Sequence, residues 1–173
     1  MSDHLEKTVG LLADLVAFPT VSGEPNGEII GYIKSYLESH GVSVLLDVTD
    51  DGKQMNLFAT IGPKVNGGII LSGHTDVVPA SAEGWQSDPF ILRRYQGRLY
   101  GRGAVDMKGF VAIALAMVPD FVAARDKLRV PLHLAFTFDE EVGCFGSARM
   151  PEFLHNHDIS AEMAIIGEPT EMR

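Results

Sequence analysis

A chain of 173 residues, 46% of them hydrophobic, is long enough to bury one domain-sized core. Its 23 acidic against 14 basic residues leave a formal net charge of -9, which argues against a nucleic-acid partner, because phosphate backbones are held by basic patches. A single cysteine, Cys144, rules out an intrachain disulfide, and no apolar run is long enough to span a membrane.

Leu5, Val9, Leu12 and Val16 recur on one face of a first helix, which Ser2 or Asp3 can cap and Pro19 closes. A second helix is expected from near Pro25, with Ile29, Ile33, Tyr36 and Leu37 as its apolar face and Gly41 as its stop. Residues 42–48 read as a strand, Asp50-Asp51-Gly52 as a turn and Met55–Ile61 as a second strand. Gly67-Gly68 precede Ile69–His74, a run apolar on both faces that suits the centre of a covered sheet. Residues 89–95 and Arg98–Tyr100 read as a hairpin about Gln96-Gly97. Residues 107–121 are apolar almost all round and predict one buried helix. Residues 130–138 are a further strand, 144–155 a helix and 163–167 a last short, buried strand. Helices alternating with strands predict an α/β fold, a central mixed sheet with helices on both faces. The opening MSDHLEKT carries acids and lacks the apolar centre of a secretory signal, so a cytoplasmic location is expected.

Four segments place reactive side chains just beyond strands or turns, where open α/β sheets build their sites. In Ser72-Gly73-His74-Thr75-Asp76, His74 and Asp76 point to one face of an extended chain. Asp76 is placed to hold one ring nitrogen while the other binds a metal, against the plainer reading of a strand-end histidine beside a solvated aspartate. In GRGAVDMKG, Asp106 stands at the mouth of the apolar helix. It suits a helix cap, or a carboxylate that bridges two cations about 3.5–4 Å apart. Asp139, Glu140 and Glu141 repel one another unless cations or solvent compensate. One glutamate as metal ligand and its neighbour as general base would divide the work, and spacing leaves open which is which. An exposed acidic turn is the plainer reading, and a fair one for Asp139. Glu168 follows the last apolar strand as a ligand, a cap or a loop acid. One histidine with several carboxylates is a mixed nitrogen and oxygen donor set, which suits zinc, with cobalt or manganese as substitutes. Cys144 has no histidine beside it in sequence and reads as a packing residue near a helix start. GRGAVDMKG is not a GxGxxG and no GxxxxGK[ST] occurs, so a nucleotide-binding domain is not supported.

In this order, SGHTDVVPA, LYGRGAVDMKG, DEEVGCFG and GEPT resemble the zinc metallopeptidase family of aminoacylases, carboxypeptidase G, succinyl-diaminopimelate desuccinylase and acetylornithine deacetylase. The last two motifs are most similar to the acetylornithine deacetylases of that family. The resemblance implies a zinc-exopeptidase-like catalytic domain with two Zn2+ ions. His74 and Glu168 would bind one ion and Glu141 the other, with Asp106 bridging them. Asp76 would orient His74, Glu140 would be the general base, and a cis peptide would follow Asp106. The implied substrate is a small N-acyl amino acid, first of all N2-acetyl-L-ornithine, hydrolysed to L-ornithine and acetate in arginine biosynthesis. A desuccinylase-like, other deacylase or carboxypeptidase activity, or a non-catalytic metal-binding fragment, are the alternatives. Members of the family are much longer. They insert a dimerisation domain after the GEPT region and return to supply a further zinc-binding histidine. Residues 1–173 are therefore expected to be the N-terminal part of a catalytic domain, truncated, with little activity alone and a homodimeric parent. His133, His155 and His157 are not expected to replace the missing histidine.

Overall fold

Helices α1 (Asp3–Val16) and α2 (Gly27–Ser39) lead into strands β1 (Val44–Val48), β2 (Met55–Ile61) and β3 (Ile69–His74) in a computed structural model that describes residues 3–81 and 83–170. A hairpin of β4 (Arg93–Tyr95) and β5 (Arg98–Tyr100) precedes helices α3 (Lys108–Ala116) and α4 (Val118–Ala123). Strand β6 (Leu132–Thr137), helix α5 (Phe145–Asn156) and strand β7 (Met163–Ile166) follow. Five strands form the main sheet in the order β1-β2-β6-β3-β7. β2 is antiparallel to both β1 and β6, whereas β3 is parallel to β6 and β7. The sheet is therefore mixed, as expected. Its parallel trio ends together, with His74 opposite Thr137 and Ser72 opposite Ile166.

Strand alternation builds the two layers. Leu57, Ala59 and Ile61 of β2 join Leu134 and Phe136 of β6 in a core shared with α1, α2 and α3. Phe58 and Ala135, one residue out of step, face the other way and pack with Met150 of α5. Helices thus lie on both faces. Among the described residues, no helix is long and apolar enough to cross a membrane.

Where the local structure departs from the sequence expectation, the cause is visible. In α1 the buried residues are Leu11, Leu12, Leu15 and Val16, and Leu5 is exposed, because only the C-terminal half of the helix meets the core. Ser2, one of its two candidate caps, lies outside the described residues. After α2, Gly41 adopts φ +71°, and the Val42 N–H turns back to the Leu37 carbonyl. That cap consumes Val42, so β1 begins at Val44 rather than at residue 42. Gln96 and Gly97 take φ values of 50° and 74°, the paired left-handed turn that a two-residue hairpin needs. Its first arm starts only at Arg93, because the Pro89 carbonyl is engaged by the Arg102 N–H. Residues 107–121 form two helices instead of one. Pro119 in the first turn of α4 has no N–H to continue α3, and Ile113 of α3 is exposed. β7 is exposed along its whole length, so the expectation of a buried last strand fails. Apolar Met163, Ile165 and Ile166 have no helix of the described residues laid over them, and β3 beside them is half-buried.

Candidate metal and catalytic site

β3 carries His74 to the carboxyl end of the parallel strands, where only 2% of the residue is exposed. Its Nδ1 lies 2.9 Å from the main-chain carbonyl oxygen of Asp76. A carbonyl only accepts, so Nδ1 carries a proton and Nε2 is the nitrogen left to meet a cation. The Asp76 carboxylate is farther from Nδ1, at 3.4 Å, so the nearer orienting group is that residue's backbone. Nε2 faces Asp106 Oδ1 at 3.1 Å, Glu168 Oε1 at 3.6 Å and Glu140 Oε2 at 3.9 Å. Burial opposes a charged ring, but Asp76, Asp106 and Glu168 outweigh it and push the His74 pKa up to about 9.

Asp106 does not cap α3. Met107 occupies the N-cap position, no side chain caps the helix there, and the Asp106–Met107 peptide is cis. Glu168 follows β7 through Gly167, whose N–H donates to the Ser72 carbonyl at 3.2 Å. A Cβ on Gly167 would run into the ring of Phe110, so glycine lets the strand end lie against α3. His74, Asp106 and Glu168 each offer one ligand atom, all within 4.8 Å of one another. Glu141 is not in that trio. Burial, then the charge of Asp106, raises its carboxyl pKa. Burial likewise raises Glu168, with Asp106 and Glu140 adding to it. Carboxylates crowded until they resist ionising are the arrangement a divalent cation relieves, and one imidazole with several carboxylates fits such an ion.

The acidic turn is tied down by Asp76. Its Oδ1 accepts the Glu140 N–H at 3.1 Å, and its Oδ2 accepts the Glu141 N–H at 3.3 Å and the Ser22 hydroxyl at 2.6 Å. Although burial works against it, the His74 ring, the Ser22 hydroxyl, the Glu140 N–H and the charge of the ring hold the Asp76 pKa below the usual carboxylate range. Asp139 is not the exposed turn acid that its sequence suggests. It is 6% exposed, has φ +52°, and accepts the Gly23 N–H at 2.7 Å.

Residues 70–173 match peptidase family M20/M25/M40. The chain belongs to that family. All of it aligns with acetylornithine deacetylase of Proteus mirabilis (strain HI4320) at 35% identity over 180 residues, covering 45% of that protein. It covers 46% of the acetylornithine deacetylase of Yersinia pestis, also at 35% identity. The chain therefore spans less than half the length of these curated relatives. The M20 family metallo-carboxypeptidase Sso-CP2 from Sulfolobus solfataricus superposes with a TM-score of 0.79 at 26% identity, over 96% of this chain and 37% of that one. Human carnosine dipeptidase 1 gives a TM-score of 0.78 at 25% identity, over 94% of this chain and 38% of that one.

Two side chains of this M20 chain that the sequence reading left out of the site stand close to it, one against Glu140 and one buried at the start of α3. Cys144, expected as packing, is exposed with φ +56°, and its thiol donates to Glu140 Oε1 at 3.4 Å. The only sequence signal was its spacing of four from Glu140. Lys108, two residues after Asp106, is fully buried and donates to the carbonyls of Leu15 at 3.1 Å and Phe18 at 2.7 Å. Burial lowers its pKa to about 7. A lysine inside an otherwise apolar helix was the available signal.

Proposed function

We propose that residues 1–173 are the N-terminal part of the catalytic domain of a zinc amidohydrolase acting on N-acyl amino acids, with N2-acetyl-L-ornithine as substrate and L-ornithine and acetate as products. The observation that carries this reading is the meeting of His74 Nε2, Asp106 and Glu168 at one end of the parallel strands. The 35% identity to acetylornithine deacetylase supports the choice of substrate. In this reading His74 and Glu168 hold one Zn2+, Glu141 the other, and Asp106 bridges them. Cobalt or manganese can substitute.

When bound, the metal pair polarises the acyl carbonyl and acidifies a water molecule. The chain's own residues do the rest. Glu140, with its carboxylate beside the metal-facing nitrogen of His74, takes a proton from the attacking water. It returns that proton to the amine nitrogen as the C–N bond breaks, so acetate and a free amino group leave. Asp76 keeps the His74 ring and the backbone of Glu140 and Glu141 in register. Asp139 is unsuited to the base role because its carboxylate is already committed to Gly23.

The remaining length of the relatives would supply a further histidine, a cover for the apolar strand β7 and a homodimer interface. The whole enzyme would work in the cytoplasm, in arginine biosynthesis. The test compares residues 1–173 with a chain of the relatives' length that contains them. Both are given Zn2+ or Co2+ and a panel of N-acetyl, N-succinyl and peptide substrates, and bound metal is counted. The expected result is fastest turnover of N2-acetyl-L-ornithine by the long chain and little by residues 1–173. Two tightly held metals and equal turnover in residues 1–173, or a long chain that prefers succinyl substrates, would overturn it.

A further inference from the structure

The segment 18–23 entered the sequence reading only through Pro19, as a helix stop, yet in the fold it touches three of the stretches that carry the site. Thr20 Oγ1 donates to the Thr75 carbonyl at 2.6 Å, and the Val77 N–H donates to the Thr20 carbonyl at 2.9 Å. Val21 and Val77 form a parallel bridge. The Ser22 N–H donates to the Val77 carbonyl at 3.1 Å. Gly23 reaches Asp139, and the Phe18 carbonyl accepts the Lys108 ammonium. A short irregular segment thus lies against the His74–Asp76 stretch, the acidic turn and the start of α3.

We propose that Ser22 is a positioning residue of the metal site: its hydroxyl fixes the Asp76 carboxylate, which holds the Glu140–Glu141 turn by two hydrogen bonds and lies 3.4 Å from the His74 ring as a second brace behind the Asp76 carbonyl. The hydroxyl has one proton to give. It lies 2.6 Å from Asp76 Oδ2 and 3.3 Å from the Val77 carbonyl, so the charged oxygen takes it. Asp76 uses Oδ1 for the Glu140 N–H and the His74 ring, and Oδ2 for Ser22 and the Glu141 N–H. Without Ser22, Oδ2 keeps only its longer bond, at 3.3 Å. Asp76 is 3% exposed, so little water is at hand to replace the lost donor. The carboxylate then turns, and the Glu140–Glu141 turn bonded to it moves with it. A partner bonded directly to a ligand typically sets metal affinity by about 10–100-fold, and Ser22, acting one bond farther out through Asp76, is expected at the lower end of that range.

The inference rests on reading His74, Asp106 and Glu168 as a metal site, and the test separates the two. Zn2+ or Co2+ binding to residues 1–173 is measured calorimetrically for the unaltered chain, Ser22→Ala, Ser22→Thr and Thr20→Val. Thermal unfolding is followed for each in chelator. Thr20 is the control, since it braces the same segment through Thr75 without touching Asp76. Expected are a loss of about 10-fold in affinity for Ser22→Ala, recovery in Ser22→Thr, and a Thr20→Val chain that is less stable yet binds metal normally. Should Ser22→Ala not fold, Ser22→Cys, similar in volume but a weaker donor, is read in its place. Ser22→Ala binding as tightly as the unaltered chain overturns the inference alone. So does Thr20→Val losing affinity in step with Ser22→Ala. An unaltered chain that takes up no metal overturns the inference together with the metal-site reading.

Discussion

His74 and His133 stand on neighbouring parallel strands, and both are nearly sealed from solvent, at 2% and 3% exposure. Their proton affinities nevertheless move in opposite directions. At the carboxyl end of the sheet, Asp76, Asp106 and Glu168 overcome burial and raise His74 to about 9. At the amino end, His133 pairs with Ile70 across the sheet, meets Thr60 Oγ1 at 2.9 Å and the Gly67 carbonyl at 3.3 Å, and packs on Phe58. No carboxylate of the described residues compensates there, and burial lowers its pKa. Burial alone therefore does not decide a histidine's proton affinity. The acids around the ring do.

The contrast is broken or sharpened by paired substitutions at the two ends of the sheet. The largest effect is expected from Glu140→Gln in a chain of the relatives' length. Turnover should fall about 10²–10⁴-fold with bound metal unchanged, while His133→Gln leaves turnover near that of the unaltered chain. Equal losses from both would dissolve the distinction. Next, His74→Ala should weaken metal binding at least as much as loss of an outer partner does, about 10–100-fold. His133→Ala should leave binding unaltered, as judged by competition with a chelator.

A third effect follows from the raised His74 pKa. Below about pH 9 the ring holds a proton on Nε2 that a metal must displace, so protons compete with metal more strongly as pH falls. Apparent affinity should rise about tenfold per pH unit between neutral pH and that value, then level. Calorimetry in two buffers of different ionisation enthalpy counts the proton released, and finding none would remove His74 from the ligand set. The smallest effect belongs to His133. Its folded pKa lies below the ordinary 6.5, so the unfolded chain takes up a proton that the folded one refuses. Stability present above pH 6.5 is then lost as pH falls through it. The chelated chain should lose more Tm over that interval than His133→Gln does.

Much of the sheet was legible because alternation and turn residues agreed. Met55–Ile61 reads as a strand in sequence and is one, since its odd and even residues serve two different layers. The split at Pro119 was legible too, but the near-continuous apolarity of residues 107–121 outweighed a missing N–H. The exposure of Ile165 and Ile166 was not, because apolarity states what a strand needs against it and not what is there. At the site, the strand-end positions of His74 and Glu168 were readable, whereas their proximity depends on the parallel register of β3 and β7. Asp139 could not be read as buried, since its partner Gly23 lies 116 residues away in sequence. The same holds for Ser22 and Asp76, 54 residues apart. Nothing in adjacent Glu140 and Glu141 tells base from ligand.

Gly167 has room for a hydrogen atom and nothing more, because the Phe110 ring already fills the space that a Cβ would need. Helix α3 leaves directly from the Asp106 turn, and Glu168 follows Gly167 without an intervening residue. The aromatic ring therefore works as a feeler gauge between the end of β7 and α3, two elements that the sequence keeps far apart. Its thickness sets how closely the strand end approaches the helix. A thinner or thicker side chain at position 110 is in effect a change in how Gly167 seats against α3.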